Sequence, residues 1–233
     1  MNNSCERCPV LVSVLFGELS STKKAALPCI FRPASYPKNE VLFFEGGPAE
    51  HLFALRSGLV KVVKSLEDGK ERITRVVYPG ELLGIEALIE NTYPLTAVTL
   101  RDCEICSASR DEFVEFLRRD PGISLGMIRS LVQEVSRLSS HIADMSFKDA
   151  RMKIATFVLS LIRSETAKPT SPYTLRLPFS RQEFSDFLEL SPESVSRAFT
   201  SLKDEGLVAV RAPHLIIRDI EQLHDAARAI RKR

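Results

Sequence analysis

Apolar and polar positions change their period twice along the chain. From Glu40 to Phe113, short β-branched and aromatic runs alternate with glycine punctuation. Val41–Phe44 precedes Gly46-Gly47, Leu52–Leu55 precedes Ser57-Gly58, Val60–Leu66 precedes Asp68-Gly69, and Glu71–Tyr78 precedes Pro79-Gly80; Thr96–Leu100 and Cys103–Ala108 follow. Short strands at regular spacing with turn signals between them predict a β-sandwich or rolled barrel, with a hairpin turn over Leu66–Gly69. After Phe113 the period becomes helical. Asp120 suits an N-cap and Pro121 a first helical position. Beyond them Ile128, Leu131, Val135, Leu138, Ile142 and Met145 recur at alternating spacings of three and four. That is an a/d seam of more than two heptads, which reads either as one helix packed on its own domain or as a dimer helix. The narrow stripe and the length of the segment favour the dimer helix. A short helix is predicted over residues 21–30, another from Ala150 to about Ile162, and a loop over Ser164–Tyr173.

The last third carries two helix starts close together. Ser180 and Glu183 have capping-box spacing, and Phe184, Phe187 and Leu188 share one face behind them. The pattern breaks around Glu189 and Leu190. Ser191 then caps a second helix with Pro192 at N1, whose Val195, Phe199 and Leu202 are expected to face inward. Gly206 is a stop, and Leu207–Val210 and Leu215–Arg218 read as a hairpin around Arg211–His214. Two short helices joined by a tight turn, followed by a hairpin, predict a winged helix-turn-helix. Glu193, Ser196, Arg197, Thr200 and Lys203 lie on the outer side of the second helix. Arg197 can fork onto guanine O6 and N7, Glu193 can accept from cytosine N4, and Ser196 can meet a base edge or phosphate. Ser191 and Arg181 complete the candidate DNA-binding set. The competing reading is an ordinary solvated face with a Glu/Arg pair.

Composition narrows the classes. With 44% hydrophobic and 27% charged residues among 233, the chain is globular and long enough for two domains. A net charge of +2 offers no global attraction to nucleic acid, so any basic patch must be local. No apolar run approaches 18 residues, and Pro9–Phe16 lacks the flanks of a signal peptide, so a cytoplasmic chain without a membrane partner is expected. The histidines, His51, His141, His214 and His224, are scattered over three predicted modules. The clustered ligands of a metal-dependent cupin-like enzyme are therefore missing, and no enzyme is expected.

Phe44-Glu45-Gly46-Gly47, Leu55-Arg56-Ser57-Gly58, Gly80-Glu81-Leu82-Leu83-Gly84 and the run Pro192–Arg197 follow one another in a familiar order. With the sandwich, seam helix and winged module, they make the chain resemble the family of the cyclic-AMP receptor protein and the fumarate–nitrate reduction regulator, the CRP/FNR family. The resemblance covers about Phe16 to Ile220. It implies an α+β chain with an N-terminal cyclic-nucleotide-binding-type β-roll in a sensor domain over residues 1–118. A dimerisation helix over 119–147 and a winged helix-turn-helix DNA-binding domain over 148–233 follow. It implies a homodimeric bacterial transcription regulator. Cyclic-AMP binders of the family hold the phosphate with a Gly-Glu turn and an Arg-Ser pair about eleven residues on. Here Asn91–Ala97 contains no arginine, a buried phosphate would lack its countercharge, and cyclic AMP is not the expected ligand. Glu193, Ser196 and Arg197 fit the FNR branch, implying a palindrome of the TTGAT-n4-ATCAA type on double-stranded DNA. By family analogy, residues between Ala49 and Leu52 and around Leu83–Leu88 meet RNA polymerase.

The five cysteines form two C-x-x-C pairs, Cys5/Cys8 and Cys103/Cys106, plus Cys29. The FNR branch carries a [4Fe–4S] cluster on three N-terminal cysteines and one in the β-roll. Cys5 and Cys8 match, and Cys106 resembles the β-roll ligand, but the third N-terminal position holds Val14. Cys29, or alternatively Cys103, would complete the four thiolates. A four-cysteine zinc site, a thiol–disulfide sensor or a small effector in the β-roll remain as alternatives, as does simple burial. Cys103 and Cys106 lie three apart in one predicted strand and so point to opposite faces, which favours a single ligand there.

Overall fold

A computed structural model describes residues 9–12, 30–67, 69, 71–163, 170–211 and 213–228; for 11, 12, 130, 134, 137, 141 and 143–147 it describes the backbone alone. The helix expected over 21–30 lies outside the described residues except for Ile30, which is in a turn. The chain divides into two compact units, Met1–Arg137 and Leu138–Arg233.

The first unit is an antiparallel β-roll. Its strands are β1 (Arg32–Tyr36), β2 (Val41–Phe43), β3 (His51–Ser57), β4 (Val60–Ser65), β5 (Glu71–Val77), β6 (Leu82–Leu83), β7 (Thr96–Thr99) and β8 (Cys103–Ser109). They form two four-stranded sheets, ordered β1-β8-β3-β6 and β2-β7-β4-β5. Leu52, Leu55, Val60, Val77, Ala97 and Ile105, from both sheets, are buried in one core. Burying such side chains is the main force holding the sheets together, at about 1.5–3 kcal/mol for each large aliphatic group. The β4–β5 turn closes as its composition predicts: Gly69 N–H donates to the Leu66 carbonyl at 3.0 Å.

Two of these strands escape the alternation rule. β1 contains Pro33 and is largely exposed. It is an edge strand paired only to β8, where the missing N–H of proline costs little. β6 is two residues long and leads into a 3-10 turn, Ile85–Leu88. Helix α1 (Arg110–Arg119) begins three residues before the expected change of period, because Ser109 accepts the Glu112 N–H and caps it. Phe113 on α1 is fully buried and meets Phe31 edge-on at 5.9 Å. Asp120 then starts α2 (Pro121–Phe147), accepting the Gly122 N–H on Oδ1 at 2.9 Å. The first turns of α2 belong to the β-roll core through Ile123 and Met127.

The second unit contains α3 (Ala150–Arg163), β9 (Tyr173–Arg176), α4 (Arg181–Leu188), α5 (Pro192–Asp204), β10 (Val208–Arg211), β11 (His214–Ile217) and α6 (Ile220–Arg228). Phenylalanines form its centre. Phe157 of α3 stacks on Phe179 at 5.3 Å and meets Phe184 of α4 edge-on at 5.3 Å, and Phe184 meets Phe199 of α5 at 5.7 Å. The segment expected as a loop ends earlier than composition suggested, since Tyr173 opens β9. That strand pairs with β11 in a sheet ordered β10-β11-β9.

Candidate nucleic-acid interface

The two helix starts read from sequence are both formed. Ser180 Oγ accepts the Glu183 N–H at 3.2 Å, and Glu183 Oε2 accepts the Ser180 N–H at 2.9 Å, a reciprocal capping box. The α4 helix ends at Glu189 in the left-handed region, φ 52°, which turns the chain sharply. Ser191 Oγ then accepts the Ser194 N–H at 3.1 Å and starts α5 with Pro192 in its first turn. Val195, Ala198, Phe199 and Leu202 are buried, which fixes which side of α5 looks outward.

On that outward side lie Glu193, Arg197, Thr200 and Lys203, all exposed, with Ser196 half-buried among them. Arg181 reaches across from α4 and donates from Nη1 to Ser196 Oγ at 3.3 Å. Arg197 Nη2 donates to Ser194 Oγ at 3.2 Å, and Thr200 Oγ1 donates to the Ser196 carbonyl at 3.0 Å. A shallow groove along the helix is lined by Ser196, Arg197, Thr200, Ser201, Asp204 and Glu205. The Glu193 carboxyl is held below its ordinary range by its own backbone N–H at the helix N-terminus, then by the Ser191 hydroxyl and the Arg197 charge. The face therefore offers a carboxylate acceptor in Glu193, guanidinium forks in Arg197 and Arg181, the Lys203 side chain and hydroxyls. All seven residues expected to meet DNA are brought to one unit, on α4, α5 and the cap between them.

The wing is also present. Arg211 pairs directly with His214 across β10 and β11, leaving a connection of only two residues. Towards the C-terminal ends of α4, α5 and α6, sequence reasoning missed a set of contacts. Arg151 of α3 forks onto Glu205 at the C-cap of α5, with Nε 2.9 Å from Oε1, and donates from Nη1 to the Ala226 carbonyl at 3.2 Å. Lys153 donates from Nζ to the Leu188 carbonyl at 3.2 Å, and its burial lowers the amine's pKa. A buried lysine in an otherwise apolar helix stretch was the available signal.

The cysteines divide. Cys5, Cys8 and Cys29 lie outside the described residues. Cys103 is buried, and its Sγ donates toward the carbonyls of Arg101 (3.1 Å) and Leu59 (3.4 Å); burial pushes the thiol up. That burial favours the protonated thiol in the metal-free chain. Cys106 is half-buried on the same strand, opposite Pro33 and Ala54. Among the described residues no group of three or more His, Cys, Asp or Glu is placed to hold a metal ion.

At the Gly80-Glu81 turn the Glu81 carboxylate accepts the Tyr78 N–H at 3.1 Å and faces Arg75 Nη2 at 3.4 Å. In the stretch without arginine, Tyr93 is buried, stacks on Phe43 at 4.0 Å, and donates its hydroxyl to the His51 carbonyl at 2.6 Å. Of the segments matched to a polymerase contact, Ala49, Leu52, Leu83 and Ala87 are buried, and Glu50 and His51 are exposed. Among the described residues no helix is long and apolar enough to cross a membrane.

Comparison with known proteins agrees with this architecture. Residues 33–120 match the cyclic nucleotide-binding domain, and residues 152–226 match the Crp-like helix-turn-helix domain. The transcriptional activator protein Anr of Pseudomonas aeruginosa is 31% identical over 186 residues, covering 80% of this chain and 76% of that protein. An anaerobic regulatory protein of Pasteurella multocida is 28% identical, covering 83% of this chain and 71% of that protein. The structure of FixK2 from Bradyrhizobium japonicum aligns with a TM-score of 0.74 at 26% identity, covering 86% of this chain and 99% of that one. These relatives are regulators, which sets aside the cupin-like enzyme. With a β-roll, a capped helix-turn-helix and relatives of this kind, the chain belongs to the CRP/FNR family of DNA-binding transcription regulators.

Proposed function

We propose that the chain acts in the cytoplasm as a homodimeric regulator of the FNR type, binding a TTGAT-n4-ATCAA-like palindrome and reporting a redox signal to RNA polymerase. The observation that carries this reading is the outward face of α5. A Glu, a Ser and an Arg sit in the half of the helix nearest its capped N-terminus, the end that enters the major groove in this motif. Glu193 reads cytosine, Arg197 guanine, and Ser196 and Arg181 the neighbouring edge and phosphate. Ser191, Thr200 and Lys203 flank them.

The dimer reading rests on α2. Ile128, Leu131, Val135, Leu138 and Ile142 are exposed, Val135 by 62% and Ile142 by 67%. Apolar stripes of this length on a surface mark interfaces. The sixth seam position, Met145, continues the register in sequence. Two recognition helices related by a two-fold axis require a palindrome. The segment 119–147 is the dimerisation element between sensor and DNA-binding domains.

For the signal, the donor set is tested first by Cys106. Its partial exposure suits a thiolate ligand, whereas the buried Cys103 thiol does not. Cys5, Cys8 and Cys29 are proposed to complete a [4Fe–4S] site, which supplies oxygen-sensitive redox chemistry when bound; the name of the Pasteurella relative points the same way. Cyclic AMP is not the proposed effector, because Glu81 is engaged within its own turn and no arginine faces a phosphate from residues 91–97.

The test is fluorescence anisotropy on the palindrome and on single-base variants. Arg197→Ala is expected to weaken binding about tenfold or more and to erase discrimination at one base pair of each half-site. Uniform weakening on every duplex would refute the base-reading role. Anaerobic purification addresses the signal: a brown protein with about four irons per chain supports the cluster. A colourless, iron-free protein that still binds the palindrome moves the signal to thiol redox or an organic effector in the β-roll.

A further inference from the structure

Two cations near the start of α3 hold the ends of the helices behind the reading face. Arg151 bonds both carboxylate oxygens of Glu205 and the Ala226 carbonyl, and its side chain is only 16% exposed. Ser201 Oγ donates to Glu205 Oε1 at 2.9 Å, tying the same carboxylate to α5. Two residues on, Lys153, 9% exposed, meets the Leu188 carbonyl in the last residue of α4. Helix C-terminal carbonyls lack intrahelical donors and favour cations. A bidentate Arg–carboxylate pair is directional as well as strong.

We infer that Arg151 and Lys153 are positioning residues for DNA recognition, setting the orientation of α5 and α4 against α3. The inference rests on the reading that α5 enters the groove. Glu205 and Glu193 lie at opposite ends of α5, about 18 Å apart at helical rise. A tilt of about 5° pivoting at Glu205 therefore moves the reading end by roughly 1.5 Å, well beyond the roughly 0.5 Å within which a binding constellation must be held. The clamp acts where a small angular error is magnified most.

Charge makes the test sharp. Arg151→Ala removes a positive charge and Glu205→Ala a negative one, so simple electrostatics would shift DNA affinity in opposite directions. Positioning requires both to weaken binding to the palindrome. With the full-length protein, each single variant is expected to weaken palindrome binding about tenfold, and the double variant no more than either single. The salt dependence on the palindrome stays unchanged, because neither residue neutralises a phosphate. Arg151→Lys and Lys153→Met, milder changes, give intermediate losses.

Hydrogen exchange on the same samples reads the clamp without DNA. Amides in the last turn of α5 exchange faster in Arg151→Ala, while α3 is unaffected. Tighter or unchanged palindrome binding by Glu205→Ala overturns the inference. So does a salt slope made shallower by about 0.9, the signature of one phosphate no longer neutralised. If the wild type does not distinguish the palindrome from a scrambled duplex, the reading of α5 fails. Exchange alone then decides the clamp, and unchanged exchange in Arg151→Ala overturns it.

Discussion

At Gly58 a single hydrogen decides whether the β3–β4 turn can close. Its φ is +94°, and a Cβ there would lie 2.5 Å from both the Asp102 carbonyl oxygen and Cys103 Sγ. Gly58→Ala is expected to cost about 2–4 kcal/mol, from the left-handed backbone and the overlap together, read as a lower thermal midpoint. Glu193 gives a pH prediction. Its folded pKa is lowered, so its favourable contacts are present above the unfolded value and lost only as pH falls through the folded one. Between about pH 6 and 8 its charge is constant, and the affinity ratio of wild type to Glu193→Gln should be flat. A ratio that changes across that window would contradict an ionised acceptor. Lys153 has the opposite consequence, because burial lowers the pKa of a base. The unfolded chain then holds the proton more tightly, so stability rises with pH in the window below the ordinary value of 10.5. Wild type should gain thermal stability relative to Lys153→Met as the buffer is raised through that alkaline range, and a constant difference would count against a buried charged amine.

Among the elements, α2 and α5 are proposed to carry separable tasks. Ser191→Ala removes the hydroxyl that accepts the Ser194 N–H and should cost about 1 kcal/mol, chiefly by fraying the reading end of α5. A charge placed in the apolar stripe, as in Val135→Glu, should leave the β-roll folded but give monomers in sedimentation and abolish palindrome binding. The seam holds no charge at any of its six positions, so the wild-type dimer is expected to persist at micromolar concentration without a signal. Monomeric wild-type protein under those conditions would contradict this. Strands with clear alternation, the capped helices and the wing were legible in the chain. Strand β1 was not, because an exposed edge segment containing Pro33 has no buried face to impose a period. β9 was hidden in a Ser/Thr/Pro-rich stretch, its only buried residue being Leu175. The α6 helix, with Leu223, Ala226 and Ala227 as its buried residues, carries too small an apolar stripe to stand out.

For the molecule as a whole, two compact units with separate cores predict two unfolding events. Scanning calorimetry should show Gly58→Ala moving one transition while leaving the other, which belongs to the phenylalanine cluster, in place. A single transition displaced as a unit would mean that the cores unfold together. The division into strands, seam helix and winged module, and the residues on the outer face of α5, were determined by the sequence alone. Caps, turns and amphipathic stripes act between residues one to four positions apart, so their signals are local. The tertiary structure alone decided which cysteine of the β-roll pair is buried. It alone also brought Arg151 to Glu205 across 54 positions and Lys153 to Leu188 across 35. Burial and hydrogen bonds between distant positions leave no period in the chain, because they exist only once the layers have packed.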